Sequence, residues 1–257
     1  MNLVALALAA TTAFAGPIDH APKPGKTPAS RTTAAYSHTQ YGETQKAGNG
    51  TIRSFVRTQA NGKLTQVGVA LSAEALNGLS TEMTAWVLKL PPVAANQTAI
   101  DHISFDWMPH GHEPDGVYNV PHFDCHFYFT TSEERLSIRP DDPRFAIKPD
   151  AAYLPAGYVA GPGVPQMGVH WIDPTSSEFQ GKPFTTTFIF GALDGKVTFQ
   201  EAMFTLDYLK QVKDERLPVK QPAKVAKPGL YPMSYAYTYN ATEKQYEITL
   251  ENLTDRK

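Results

Sequence analysis

The chain has 257 residues and a formal net charge of −2, with 23 Lys and Arg against 25 Asp and Glu. Without a basic patch or run, this balance argues against nucleic acid or an anionic membrane surface as a partner. The length is enough for one large β domain with a sizeable core. The 13 Phe, 12 Tyr and 3 Trp beside 21 Pro and 18 Gly favour strands joined by ordered loops over a helical bundle.

Leu3 to Phe14 is apolar and rich in small residues, and Ala13-Phe14-Ala15 before Gly16 fits an A-x-A cleavage pattern. Residues 1–15 therefore read as a signal peptide, although no Lys or Arg precedes the run. The alternative is a buried apolar helix. The run is shorter than the roughly 20 apolar residues that span a bilayer. The expected location is periplasmic or secreted. Residues 16–48, rich in Pro, Thr, Ser, Ala and Gly, read as a flexible leader carrying His20 and His38. Residues 49–257 read as a single β domain. A lone cysteine, Cys125, rules out an intramolecular disulfide.

Asn49 to Gln59 and Lys63 to Leu71 read as a hairpin around Asn61-Gly62, a strong turn signal. Ser72 to Leu79 is compatible with a short helix capped by Ser72. Thr84 to Leu90 reads as a strand ended by Pro91-Pro92. In Asp101 to Trp107, His102, Ser104 and Asp106 alternate with Ile103, Phe105 and Trp107. His122 to Phe129 alternates too, with His122, Asp124 and His126 on one face and Phe123, Cys125, Phe127 and Phe129 on the other. Antiparallel pairing of these two segments through the loop 108–121 would stack the apolar rows on one side. The histidines and carboxylates would share the other.

Ser132 to Leu136 reads as a helical turn with Ser132 as cap. Residues 139–174 form a long Pro/Gly-rich loop whose aromatic content predicts an ordered, packed course, with His170 near its end. Phe184 to Phe190 and Val197 to Leu206 form a hairpin around Leu193-Asp-Gly-Lys196, the second strand running into a helical turn. After a charged connector over 210–227, Tyr231 to Tyr239 and Lys244 to Leu250 close the chain as a hairpin. The fold expected is mainly β, an antiparallel barrel or sandwich with long Pro/Gly-rich loops and little helix.

Four of the eight histidines, His110, His112, His122 and His126, fall between residues 110 and 126, with Glu113, Asp115 and Asp124 among them. Imidazole nitrogens and carboxylate oxygens are the usual donors to zinc, and imidazole also suits copper. A H-x-H step on an extended segment can place two imidazoles on one ion, and a strand bearing His122 and His126 can complete the set. Asp106 and Asp124 read as partners holding imidazole N–H groups. Cys125 reads as core by alternation. His170 is either a core-edge residue or a ligand arriving from distant sequence. Glu201, the only acid in the apolar strand VTFQEAMFTL, lies on the face of Val197, Phe199 and Met203. It is either an acid or base beside the site or an edge position facing water. No G-x-S-x-G elbow and no phosphate loop in a strand-to-helix context is present.

The run PHGHEPDGVYNVPHFDCHFYF, with GVPQMGVHW and VTFQEAMFTLDYL, resembles a family of exported bacterial proteins of unknown function, one branch of which is linked to sigma-E envelope-stress control. The resemblance covers about residues 80–210. It implies export, a mostly β fold and functional weight on these histidines, without naming a reaction.

The sequence thus predicts a metal-binding β protein, zinc first and copper second, with His110, His112, His122 and His126 as ligands. His170 and Glu113 are reserve ligands, and Glu201 and Glu113 are the candidate catalytic carboxylates. Hydrolytic or lyase chemistry on a small molecule would make it an enzyme. A non-catalytic envelope metal-binding protein and a structural, oligomeric module without metal are the alternatives.

Overall fold

The computed structural model describes residues 38–257. The signal peptide expected over 1–15 and the leader up to residue 37 lie outside the described residues. The strands, in chain order, are β1 (His38–Tyr41), β2 (Gln45–Ala47), β3 (Gly50–Thr58), β4 (Leu64–Ser72), β5 (Thr84–Lys89), β6 (His102–Met108), β7 (His122–Tyr128), β8 (Val159–Val164), β9 (Gly168–Ile172), β10 (Thr186–Leu193), β11 (Lys196–Thr205), β12 (Asp214–Pro218), β13 (Gly229–Tyr231), β14 (Ser234–Asn240), β15 (Gln245–Glu251) and β16 (Thr254–Arg256). Two short α-helices, α1 (Ser132–Leu136) and α2 (Leu206–Gln211), interrupt them. No helix among the described residues is long and apolar enough to cross a membrane.

Two seven-stranded antiparallel sheets carry the architecture. Sheet I runs β1-β3-β4-β15-β14-β12, with β2 also paired to β3. Sheet II runs β5-β6-β7-β11-β10-β9-β8. Neither closes on itself, so of the two expected architectures the sandwich is the one that forms. The apolar rows meet between the sheets: Phe204 of β11 packs on Tyr237 of β14 at 4.8 Å between ring centroids, and Phe188 of β10 on Tyr235 at 4.7 Å. Phe105, Phe123, Cys125 and Phe127 lie in the same core with Val67, Val69, Ile248 and Leu250. Each such large side chain contributes about 1.5–3 kcal/mol on leaving water.

The pairing of β6 with β7 sets Asp106 opposite Asp124, Ser104 opposite His126 and His102 opposite Tyr128. On the other flank, β11 sets Glu201 opposite His126 and Met203 opposite Asp124. Because both neighbours are paired, β11 is a central strand, and Glu201 is buried instead of facing water from an edge. His102 is likewise buried, stacked on Tyr128.

Some local expectations shift. Residues 38–47, read as the end of the leader, form β1 and β2 on the margin of sheet I. The Ser72 hydroxyl does not cap the following 3₁₀ turn; it accepts the Thr51 N–H across the hairpin instead. Thr131, one residue before Ser132, caps α1, in a reciprocal capping box with Glu134. The last part of the 139–174 segment is the β8–β9 hairpin, which extends sheet II and brings His170 onto a strand. Its glycine and proline content hid the strand period.

Gly191 of β10 lies between His170 of β9 and Phe199 of β11. A Cβ there would overlap the Phe199 ring, which packs edge-on against both His126 and His170. Gly191→Ala is therefore expected to cost about 1–3 kcal/mol through overpacking, read as a lower urea midpoint at unchanged m-value. An unchanged midpoint would show that Phe199 can move at no cost.

Candidate metal centre

The face of sheet II turned away from the sandwich core carries a row of polar side chains that the alternation predicts, but it is not open to water. His122, Asp124, His126 and Glu201 are each at most 2% exposed. A second, smaller apolar cluster covers them, made by Tyr118 and Phe184 with Ile189 and Met203. Tyr118 comes from the β6–β7 loop and donates its hydroxyl to Glu178 at 3.2 Å. The Phe184 ring packs edge-on against His122 at 5.6 Å.

The loop carrying His112 folds back over β7 through a turn at Gly111, whose φ of +70° and close approach to the Tyr118 carbonyl leave no room for a side chain. That turn separates the two imidazoles of the H-x-H step. His112 turns inward and lies 4.8 Å, centroid to centroid, from His122. His110 is exposed and lies outside the groups described below, as does Glu113, which is also exposed and contributes only its backbone carbonyl. The extended geometry that would have put His110 and His112 on one ion is not adopted.

Two groups emerge, each of two histidines and one carboxylate whose potential donor atoms lie within 4.8 Å of one another. The first is His112, His122 and Asp124; the second is His126, His170 and Glu201. The sequence names five of these six as candidate ligands or site acids and gives Asp124 the role of holding an imidazole N–H. No spacing signal separated it from Asp106, whose Oδ2 lies 3.1 Å from His126 Nδ1.

In the first group both tautomers are set by the backbone. His122 Nδ1 donates to the Val120 carbonyl at 2.7 Å, and His112 Nδ1 donates to the Glu113 carbonyl at 2.6 Å. A neutral imidazole has one N–H, so each Nε2 then presents a lone pair. These two nitrogens face the same carboxylate: His122 Nε2 is 3.1 Å from Asp124 Oδ1, and His112 Nε2 is 3.4 Å from Asp124 Oδ2. Lone pair against lone pair in a buried place is repulsive, so the arrangement calls for a cation or extra protons. Donors bound about 2.0–2.2 Å from one tetrahedral ion lie roughly 3.3–3.6 Å apart, close to these separations. Backbone carbonyls on the far nitrogens are the usual way of aiming metal-binding imidazoles.

The second group repeats the composition. His126 Nε2 lies 3.5 Å and His170 Nε2 3.7 Å from Glu201 Oε2. His126 Nδ1 lies 3.1 Å from Asp106 Oδ2, and Asp106 is itself held by the Ser104 hydroxyl at 2.8 Å. The Nδ1 and Nε2 of His126, the Nδ1 of His170 and Glu201 Oε2 are buried without a well-aligned hydrogen bond, as are His122 Nε2 and Asp124 Oδ1. Buried polar atoms are nearly always paired, so this concentration of exceptions marks the row.

Proton affinities report the same demand for positive charge. Burial works against a charged His112, yet the Asp124 carboxylate outweighs it and holds His112 up to about 9. Burial likewise opposes charge on His126, but Glu201 and Asp106 raise it to about 9. Burial would raise Asp124, but His122 and His112 hold it below the usual carboxylate range. Burial pushes Glu201 up to about 7 against the pull of His126, and burial together with His126 pushes His170 down to about 3. Cys125 points to the sandwich core, where burial drives its thiol well above the ordinary range, so it is neither ligand nor nucleophile.

A family model described as TTHB210-like, hypothetical protein TTHB210, matches residues 60–107. The match spans β4 to β6 and ends before His112. It fits an uncharacterised family. No curated protein and no solved structure matches the chain.

In the metal-free protein, His112 and His126 keep their protons to about pH 9 when folded but only to about 6.5 when unfolded. Their contribution to stability is whole below pH 6.5 and is lost as pH rises through about 9. Glu201, also raised, acts in the same direction up to about pH 7. Urea midpoints measured with chelator present are therefore expected to fall between about pH 6.5 and pH 9. A flat or rising midpoint would contradict the charge assignment.

Proposed function

We propose that this protein holds a transition-metal ion, zinc first and copper second, in the covered histidine–carboxylate row of sheet II. The observation that carries the reading is the pair His112 and His122, both with Nδ1 bound to backbone carbonyls and both turning Nε2 on the Asp124 carboxylate. Asp124 and the two imidazoles would hold the ion in the first group. His126, His170 and Glu201, with Asp106 behind His126, offer an equivalent set beside it. The deep burial of these donors favours retention of metal over turnover of a large substrate. We place the protein in the envelope, as the cleavage pattern before Gly16 and the resemblance to a family of exported proteins suggest.

A second reading, hydrolysis or lyase chemistry on a small molecule, has one specific support. Each set has three donors, one short of a closed tetrahedral shell, and the His112 side chain is 30% exposed and so gives solvent a way in. In that reading Glu201, raised to about 7, is the group that would take a proton near neutral pH; Glu113 is exposed and outside both groups.

Elemental analysis of protein purified without a His-tag or chelating resin tests the binding. Wild type is expected to carry a transition metal, or to take up zinc on incubation and keep it through dialysis. His122→Ala is expected to weaken zinc binding at least about a hundredfold, more than the 10–100-fold usual for losing a supporting hydrogen bond. Zinc at about 100 times its dissociation constant should stabilise wild type by roughly 2.7 kcal/mol through this site, and His122→Ala by no more than about 0.4 kcal/mol through it. Protein that retains neither zinc nor copper would overturn both readings.

A further inference from the structure

A separate cavity of about 350 Å³ opens where α1, the end of β7, the start of β11 and the segment 222–227 meet. None of the six metal-site side chains lines it. Its apolar wall includes Phe129, Ile138, Phe190 and Tyr231. Its charged groups are unbalanced: Arg135, Arg144, Lys196, Lys224 and Lys227 line it against Glu134 and Asp194. Arg144 is already paired with Asp142 at 2.7 Å, and Glu134 is occupied as the capping-box acceptor of Thr131.

Arg135 differs from the other cations. It is 7% exposed, its guanidinium lies 4.9 Å above the Tyr128 ring, and no carboxylate among the described residues forms an ion pair with it. Its Nε has no hydrogen-bond partner. Two neutral polar groups that also line the cavity are without a partner too: the Thr198 hydroxyl and the Gln200 side-chain carbonyl, at 4% and 2% residue exposure. A buried guanidinium without a counter-ion is costly unless something supplies one. A hydroxyl can donate, and the Gln200 amide can turn its NH₂ end inward, so both can serve an anion.

We propose that this cavity is a binding site for a small organic carboxylate with an apolar body, its head on Arg135, Thr198 and Gln200 and its body against Phe129, Ile138 and Phe190. The volume lies at the small end of ligand pockets, which suits a medium-chain or single-ring acid. The exposed Lys196, Lys224 and Lys227 give the mouth a positive field that draws an anion in. This proposal does not depend on the metal centre.

Calorimetric titration of the full chain with octanoate and with its neutral counterpart octanamide tests it. Octanoate is expected to bind saturably with one site, and octanamide at least about tenfold more weakly, as loss of a charge-assisted contact implies. Gln200→Glu, which sets a second carboxylate where the head would lie, is expected to weaken octanoate at least about tenfold. Arg135→Gln should do the same. If removing that buried cation impairs folding, Gln200→Glu, with its fold checked by circular dichroism, carries the test. No saturable binding of octanoate up to about ten millimolar, equal affinity for acid and amide, or unchanged affinity in folded Gln200→Glu would each overturn the proposal.

Discussion

Asp124 sits under two imidazole nitrogens that, while the rings are neutral, have no proton to give it. Val120 and Glu113 carbonyls have taken the Nδ1 hydrogens of His122 and His112, so both Nε2 lone pairs converge on a carboxylate inside the protein. That meeting needs positive charge between the groups. The other features of this face keep it in place. The turn at Gly111 brings His112 over the strand, Tyr118 and Phe184 cover the row, and the missing side chain at Gly191 leaves room for the Phe199 ring against His126 and His170.

Sheet I shows that this sandwich can bury polar side chains without leaving them orphaned. There Arg57 binds Glu247 at 2.8 Å, Gln66 donates to Glu251 at 2.6 Å, and Arg216 donates to the same carboxylate at 3.0 Å. Cations and carboxylates face one another and the hydrogen bonds close. On the outer face of sheet II, among the described residues, no Lys or Arg forms an ion pair with the row; its carboxylates meet histidines and, at Asp106, the Ser104 hydroxyl, and several donor atoms stay unpaired. A buried network satisfied by protein alone reads as structural, whereas one short of positive charge reads as a site.

Much of this was legible in the residues. The period-two alternation of His122 to Phe129 and of His102 to Trp107 set both the antiparallel pair and the division into an aromatic and a histidine face, and placed Cys125 in the core. The alternation could not say that the histidine face would be covered, because the cover comes from Tyr118 in the adjoining loop and from Glu178 and Phe184, distant in sequence, all without periodic signal. Nor could it see that Gly111 turns His110 away from His112, since the backbone angle there depends on the Tyr118 carbonyl crossing behind it. Asp124 and Asp106 look alike in sequence. They differ only because β7 places the first under two histidines while β6 leaves the second behind one ring nitrogen of His126. His170 became part of the row through the β8–β9 hairpin, whose glycines and proline masked a strand.

The most direct test of the central claim is anomalous diffraction above and below the zinc absorption edge from crystals grown with zinc. A peak about 2.0–2.1 Å from both His112 Nε2 and His122 Nε2, and about 2.0–2.2 Å from an Asp124 oxygen, is the predicted result. Zinc found only at exposed positions such as His110, with the buried row showing no anomalous density, would contradict it.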